Sequence, residues 1–210
     1  MEAIITGDIV ESRNIPKQEV WLDPLKDLLS LYGTSPNVWE IFRGDSFQLR
    51  IPAQEALHAS LLIKATTIKI KRERINVRIA IGIGDAVQSS NRISESMGEA
   101  FLYSGELLEE LKEKKVNFGI RSSDSNFDRE MNLMIRLALV ILNGWTVNSA
   151  EVASLMLQKS EITQHQISEK LGIVQSSVNE RISRGHIYEI LEFENYYRHR
   201  VKLLMHGNDN

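Results

Sequence analysis

Cysteine is missing from all 210 residues, so disulfide bonds and thiolate metal sites are excluded. Proline is scarce, at four residues, and aromatic residues make up 7% of the chain. No apolar run approaches the roughly 18 residues that a membrane-spanning helix needs. Neither sign of charge is in large excess, because the formal net charge is −3. The chain as a whole therefore has no net electrostatic attraction to nucleic acid or to an anionic membrane. Any role in nucleic-acid binding depends on a local surface.

The composition that remains, 42% hydrophobic and 25% charged, is typical of a soluble protein that can bury a core. Its length suits one large domain or two small ones. The first residues, MEAIITGDIV, are acidic and run directly into an apolar segment, which is not the pattern of a signal peptide. We expect a cytoplasmic protein that does not enter a membrane.

The first part of the chain alternates strand and helix patterns. Strands are predicted at AIITGDIV, on both sides of Gly44-Asp45 in EIFRGDSFQLRI, at NVRIAIGIGDAV and at VNFGIRS. Amphipathic helical patterns separate them. The order β-α-β-β-α-β, followed by α-β, predicts a ferredoxin-like sheet with an extension.

A polar stretch at residues 121–130, RSSDSNFDRE, has the composition of a linker. Beyond it the apolar periodicity is helical almost to the end. We therefore predict an α+β protein made of a ferredoxin-like βαββαβ domain at residues 1–123 and an all-α domain at residues 129–205.

Two aspartates stand at strand ends of the predicted sheet. Asp8 lies near the end of the first strand, and Asp45 lies in the hairpin that enters the third. A ferredoxin-like sheet places these strands side by side, so both carboxylates can reach one edge. A carboxylate in an apolar strand needs a partner or an ion. Paired carboxylates are suitable ligands for Mg²⁺, which fills its shell with water and substrate phosphates.

Each aspartate also has a purely structural interpretation. Turns recruit Gly and Asp for backbone reasons, so Asp45 is either a turn residue or a ligand. Asp85 follows Gly84 at another strand end, and a turn role is favoured over that of a third ligand.

The motifs GDIVESR, IFRGDSFQL and VRIAIGIGDAV, followed by MGEAFLYSGELLEE, resemble the motif order of class III nucleotide cyclases. The hairpin also resembles that of GGDEF diguanylate cyclases. The resemblance covers roughly the first 115 residues and implies a palm-like domain that binds Mg²⁺ or Mn²⁺ and a nucleotide. It implies metal ligands in the side chains of Asp8 and Asp45 and the carbonyl of Ile9.

The same resemblance implies nucleotide contacts at Ser12, Arg13, Arg43 and Gly44. The sequence departs from the cyclase pattern at three positions. Ile41 stands where these enzymes have a base-selecting lysine, and Leu102 and Glu106 replace an asparagine and an arginine that stabilise the transferring phosphate. Since such a cation contributes strongly to phosphoryl transfer, we expect binding at this site to be better supported than catalysis.

The segment ITQHQISEKLGIVQSSVNERISR has the pattern of a helix-turn-helix, with Gly172 at the turn. It resembles the LGISQSAVS-R pattern of bacterial regulators. Gln175 and Ser176 are predicted to cap the second helix. Its outer face is predicted to contact DNA bases and phosphates through Gln175, Ser176, Ser177, Asn179, Arg181 and Arg184.

A structural or protein-binding role for this motif stays open. Residues 128–210 hold nine Lys or Arg and ten Asp or Glu, so no basic domain stands out. The last segment, YEILEFENYYRHRV, is predicted either to form a homodimer or to pack within its own domain.

The whole set of motifs, from ITGDIVESR through RGDSFQ to LGIVQSSVNERI, resembles the SatD family of bacterial proteins. This implies a cytoplasmic regulatory protein. The leading hypothesis is a DNA-binding transcriptional regulator that senses a nucleotide, small molecule or metal. The alternatives are an active nucleotidyl cyclase or oligonucleotide synthetase, and a palm domain that serves as a dimerisation platform without a ligand.

Overall fold

The structure is a computed structural model that describes residues 1–15, 17–70, 75–87 and 91–207. These residues form a five-stranded sheet and eight α-helices. The strands are β1 (Glu2–Ile9), β2 (Trp39–Phe42), β3 (Ser46–Pro52), β4 (Val77–Gly84) and β5 (Phe118–Arg121). The helices are α1 (Glu19–Leu29), α2 (Ala56–Ile68), α3 (Glu99–Glu113), α4 (Ser125–Leu142), α5 (Val147–Gln158), α6 (Gln164–Leu171), α7 (Gln175–Arg184) and α8 (Ile187–Gly207).

Strand β1 occupies the centre of the sheet, whose order is β2-β3-β1-β4-β5. It pairs antiparallel with both β3 and β4, and β5 pairs parallel with β4. The predicted mixed α+β class and the order of elements are confirmed. The predicted adjacency of the first and third strands is confirmed as well, with Asp8 opposite Ser46 in the register.

Helices cover both faces of the sheet, which explains why β1 is apolar on both sides. On one face α3 approaches so closely that a Cβ at Gly82 would lie 2.2 Å from the carbonyl oxygen of Ala100. The hydroxyls of Thr6 and Ser104 meet there at 2.8 Å. Helix α2 is buried around nearly its whole circumference, as expected of a helix held between a sheet and further helices.

The predicted linker at residues 121–130 is wrong. Strand β5 ends at Arg121, and α4 begins at Ser125 with Asp124 as its N-cap. The Asp124 carboxylate accepts hydrogen bonds from the backbone N–H groups of Asn126 and Phe127. Polar Ser, Asp and Asn residues are favoured at helix starts for the same reason that they are favoured in loops, so composition alone does not separate the two.

The C-terminal helices pack against the sheet-bearing part through one continuous hydrophobic core. The buried hydroxyl of Tyr197 donates to the carbonyl of Ala53 at 2.7 Å. Arg198 forms a two-point ion pair with Glu55, and this hydrogen bonding holds the pKa of Glu55 below its usual range. The division into domains at 1–123 and 129–205 stays a prediction, with an extensive interface between the two parts.

Helix α8 contributes mostly to that core. Ile190, Phe193 and Tyr197 are buried in the chain's own interior, whereas Tyr188 and Tyr196 are exposed. Packing within the chain therefore accounts for most of the apolar residues of α8. In the described part of the chain, no helix combines the length and apolar character needed to cross a membrane.

Candidate functional site

A cleft of about 730 Å³ lies at the end of the sheet where β1 finishes and the β2–β3 hairpin turns. Its walls come from the segment after β1, from the hairpin, from β4 and from the turn between α3 and β5. We call it the strand-end cleft. Its lining residues are Asp8, Ile9, Val10, Glu11, Ser12, Arg13, Asn14, Asp45, Arg78, Lys115 and Asn117.

Asp8 is buried at this end of β1 and has cationic partners within the protein. The Nη1 of Arg78, directly across on β4, lies 2.8 Å from Oδ1 and 3.0 Å from Oδ2. The Nζ of Lys112 on α3 lies 3.6 Å from Oδ2. The expectation that this carboxylate needs a partner or an ion is met by Arg78, because an unpaired charge at this depth would be costly.

Asp45 is joined to the end of β1 through its main chain and side chain. Its carbonyl accepts the N–H of Ile9 at 3.1 Å. Its Oδ2 accepts the hydroxyl of Ser12 at 2.5 Å, and Ser46 Oγ lies 3.4 Å from Oδ1. These bonds fix the hairpin against the segment that follows β1, so that all three predicted metal ligands line the strand-end cleft.

The predicted nucleotide contacts divide into two pairs. Ser12 and Arg13 line the strand-end cleft. Arg43 and Gly44 lie on the exposed hairpin turn and are not among the lining residues, and the Gly44 carbonyl accepts a hydrogen bond from Gln18. The structure therefore brings together half of this predicted set.

Strained backbone concentrates around the same cleft. Among the described non-glycine residues with positive φ, Glu11 (φ 56°) and Lys115 (φ 53°) line it, and Arg43 (φ 52°) lies in the hairpin turn beside Asp45. The left-handed region costs a non-glycine residue roughly 1–2 kcal/mol. Such residues persist where the surroundings fix them, and they cluster at functional sites.

Of the cations around the cleft, Arg13 was predicted from the sequence, whereas Arg78 and Lys115 were not. Arg78 pairs with Asp8, and its Nε is buried without a hydrogen-bond partner among the described residues. Lys115 and Asn117 complete the wall. Arg78 was recognisable as a lone charge inside the apolar strand NVRIAIGIG, and lone buried charges are normally paired.

The donor set suits a metal only in part. No cluster of three or more His, Cys, Asp or Glu residues able to hold a metal occurs in the described ranges. Two carboxylates and the Ile9 carbonyl remain, and both oxygens of Asp8 already accept from Arg78. These groups fit an Mg²⁺ or Mn²⁺ ion that arrives with phosphate ligands better than one held by protein atoms alone.

Three other sequence positions lie away from the strand-end cleft. Asp85 follows β4 at the opposite end of the sheet, because β4 runs antiparallel to β1 and its Gly84 pairs with Glu2. Leu102 is exposed on α3. Glu106 forms an ion pair with Arg121 at 3.4 Å. Asp85 is therefore no ligand partner of Asp8.

A second candidate surface is formed by α6 and α7. Helix α6 starts with a capping box between Thr163 and Gln166, and its C-cap is Gly172, whose φ of 62° is left-handed. The predicted capping of α7 by Gln175 and Ser176 is wrong, because Val174 occupies the N-cap position without a side-chain bond. Gln175 is already the first residue of the helix.

Helix α7 is held by Val178 and Ile182, which are buried on its inner side. Gln175, Ser176, Asn179 and Arg184 are exposed on the outside, and Ser177 is half-buried. The prediction of an exposed polar face therefore agrees with the structure for four of the six residues.

Arg181 differs from that prediction. Its side chain is 20% exposed and lies 3.2 Å from the carboxylate of Glu151 on α5, at the edge of a groove of about 480 Å³ between α7 and the start of α5. Arg184 is 77% exposed and pairs with Glu180 one turn earlier at 2.8 Å. Both arginines are thus balanced by carboxylates.

The fold and the sites define a mixed α+β protein with a polar cleft at one end of its sheet and a two-helix unit near its C-terminal end. A family model described as the SatD family matches residues 2–197, and the chain belongs to this family. Neither a search of curated proteins nor a search of solved structures found a match.

Proposed function

We propose that the chain is a cytoplasmic bacterial DNA-binding regulatory protein, with α6 and α7 as a helix-turn-helix and the strand-end cleft as its ligand sensor. One observation carries the DNA-binding part. Val178 and Ile182 anchor the inner side of α7 while Gln175, Ser176 and Asn179 stay exposed at and near its N-terminal end. Recognition helices present the N-terminal part of the second helix to the major groove.

The exposed groups suit base edges. Asn and Gln amides can form paired hydrogen bonds with adenine, and a serine hydroxyl can donate or accept. Val174, just before α7, is exposed and can contact a thymine methyl group. Arg184 is the phosphate contact in this arrangement, since the Arg181 side chain is engaged with Glu151.

The local charge sets the expected affinity. Glu180 accompanies Arg184 on α7, and Glu169 is exposed on α6. Because the loss of affinity with added salt grows with the number of phosphates that a protein neutralises, we expect weak DNA affinity that falls only gradually as the salt concentration rises.

The test is selection of binding sequences from random duplex DNA at low ionic strength, followed by fluorescence anisotropy with the selected duplex and a scrambled duplex. We expect the double variant Gln175→Ala, Asn179→Ala to lose the preference for the selected duplex. We expect Arg184→Ala to lower the affinity for both duplexes by the same factor. The matched control is Lys114→Ala, which removes an exposed cation at the C-cap of α3. Absence of salt-sensitive DNA binding in the unaltered protein would refute this part of the proposal.

The sensing part of the proposal concerns the strand-end cleft. The strand order β2-β3-β1-β4 supports a ferredoxin-like, cyclase-like palm. The hydroxyl of Ser12 and the guanidinium of Arg13, together with Lys115, offer donors for a nucleotide phosphate. Asp8, Asp45 and the Ile9 carbonyl would hold Mg²⁺ or Mn²⁺, whose charge would neutralise phosphate oxygens.

Calorimetric titration of each of the four nucleoside triphosphates, with and without Mn²⁺, tests this part separately from DNA binding. We expect binding that is lost in Asp45→Asn and kept in Asp85→Asn, since Asp85 lies at the other end of the sheet. No heat with any nucleotide or with Mn²⁺ alone would favour a palm domain that has no ligand.

A second candidate function is metal-dependent nucleotidyl transfer, as a cyclase or an oligonucleotide synthetase. The observation in its favour is that Asp8, Ile9 and Asp45 line one cleft. Incubation with each nucleoside triphosphate and Mn²⁺, with products separated by chromatography, tests it. Product that disappears in Asp45→Asn would support catalysis, and an absence of product with all four nucleotides would count against it.

A further inference from the structure

Helix α4 exposes a stripe of large apolar side chains. Leu133, Leu137 and Val140 are spaced four and three residues apart, so they lie on one face of the helix. All three are exposed, and Leu137 is 63% accessible. The buried side of α4, including Ile135 and Leu139, already supplies the contacts that hold the helix to the core. The stripe is therefore not needed to fold the chain.

Helix α8 runs antiparallel beside this stripe. Near the start of α4, Glu130 accepts a hydrogen bond from the Tyr196 hydroxyl and forms an ion pair with Arg200 at 2.7 Å. Just past the end of α4, the Trp145 indole donates to the carbonyl of Gly185 at 2.7 Å. Tyr196 is exposed, so it extends the apolar surface from α4 onto α8.

Opposite charges flank the stripe on its two helices. Exposed Arg129 and Arg136 lie on α4, and exposed Glu189 and Glu192 lie on α8. Arg136 and Glu192 make no ion pair with any of the residues that the structure describes. Interpolating between the two contacts at the helix ends puts Arg136 level with Glu192. We call the surface formed by these four charges, Leu133, Leu137, Val140 and Tyr196 the α4–α8 face.

We propose that the α4–α8 face binds a second copy of the same chain, giving a homodimer with a four-helix interface. A two-fold axis that runs along the helices would place α4 of one copy over α8 of the other. Arg136 of each copy then meets Glu192 of the partner, and the apolar stripes are buried between them. A two-fold interface must be self-complementary, and this face carries both signs of charge around an apolar centre.

This charge arrangement favours a second copy over other occupants. An anionic membrane would attract a face rich in cations, and Glu189 and Glu192 would oppose it. An unrelated helix would need its own complementary pattern. The proposal does not depend on DNA or nucleotide binding, so it stands or fails separately from the proposed function.

The test is the mass of the full chain in solution. Light scattering or sedimentation measures it over a range of protein concentrations. We expect a species of two 24.0 kDa chains. Leu137→Glu should weaken self-association at least about 100-fold, because it buries an unpaired carboxylate at the centre of the interface. Far-UV circular dichroism and thermal unfolding of the monomeric variant show that it remains folded.

Leu102→Glu is the matched control, since Leu102 is also an exposed helical leucine (56%) but lies on α3. We expect it to remain dimeric. A monomer at every concentration in the unaltered protein, or a dimer that Leu102→Glu breaks and Leu137→Glu does not, would overturn the proposal.

Charge exchange tests the orientation of the two copies. Arg136→Glu alone should weaken the dimer, and Arg136→Glu combined with Glu192→Arg should restore it. If the combined variant self-associates more weakly than either single variant, the proposed placement of α4 over α8 is wrong.

Discussion

The strand-end cleft and the exposed face of α7 use polar residues in opposite ways. In the cleft, Asp8 and Asp45 are fixed by Arg78 and by Ser12, and both signs of charge converge on a concave space. On α7, Gln175 and Asn179 face solvent. Chemistry needs groups held in place, whereas a surface that reads a partner needs groups left free to pair. We therefore expect the paired groups of the cleft to contribute to the stability of the fold, and the solvent-facing groups of α7 to contribute little.

The largest effect is expected at the buried ion pair of the cleft. Asp8→Asn leaves the Arg78 guanidinium without its carboxylate partner, and we expect a loss of about 3 kcal/mol in the free energy of unfolding. Urea denaturation measures it. The control is Glu109→Gln, which removes an exposed partner of Lys112 and should change stability by less than about 0.5 kcal/mol. Equal stability of Asp8→Asn and the unaltered protein would show that the cleft ion pair is not structural.

A lysine inside the sheet-bearing part is expected to oppose folding. Lys64 on α2 is almost fully buried, and burial lowers its pKa from 10.5 to about 8. Lys64→Met should raise the free energy of unfolding at pH 7 by about 2 kcal/mol, because the native state no longer holds a desolvated charge. Urea denaturation over a pH series measures this gain.

The pH dependence of that gain has a definite sign. Below pH 8 the amine is protonated in both states, so the full cost is present in the unaltered protein. Between pH 8 and 10.5 the native state releases the proton while the unfolded state keeps it, so the unaltered protein gains stability relative to Lys64→Met. The advantage of the variant should therefore fade as the pH rises. A constant difference, or a similar gain in the exposed control Lys114→Met, would contradict the assignment to burial.

An intermediate effect is expected where the two regions join. Tyr197→Phe removes the donor to the Ala53 carbonyl, and we expect a loss of about 1–2 kcal/mol with a single unfolding transition. Tyr196→Phe is the control, since that hydroxyl meets Glu130 at the surface. Two separate transitions in the unaltered protein would mean that the sheet and the C-terminal helices fold independently.

The smallest effect is expected at the turn of the two-helix unit. A Cβ added at Gly172 would have no neighbouring atom within 4 Å. We therefore expect Gly172→Ala to lower the free energy of unfolding by about 1 kcal/mol, which is the cost of the left-handed backbone alone. Gly105→Ala, inside α3 and also without a close neighbour, should instead stabilise by about 0.5–1 kcal/mol. If both changes stabilised the protein, the backbone at residue 172 would have moved out of the left-handed region in the variant.

Several elements could be predicted from the sequence because their signals are local. The hairpin around Gly44-Asp45 and the burial of Val178 and Ile182 follow from residue spacing and turn chemistry within a few positions. The placement of Asp8 near Asp45 required only the pairing of the first and third strands. The α4 start at Ser125 was missed because capping residues also suit loops.

The sequence by itself determined the class of fold, the order of elements and the residues at which chemistry was expected, since periodicity and turn residues act over short distances. Tertiary structure alone decided their partners. It set Arg78 across from Asp8 through an antiparallel register, tied Arg181 to Glu151, and left the leucines of α4 uncovered. These outcomes depend on contacts between residues far apart in the chain, and the free energy of such contacts is not encoded in any local pattern.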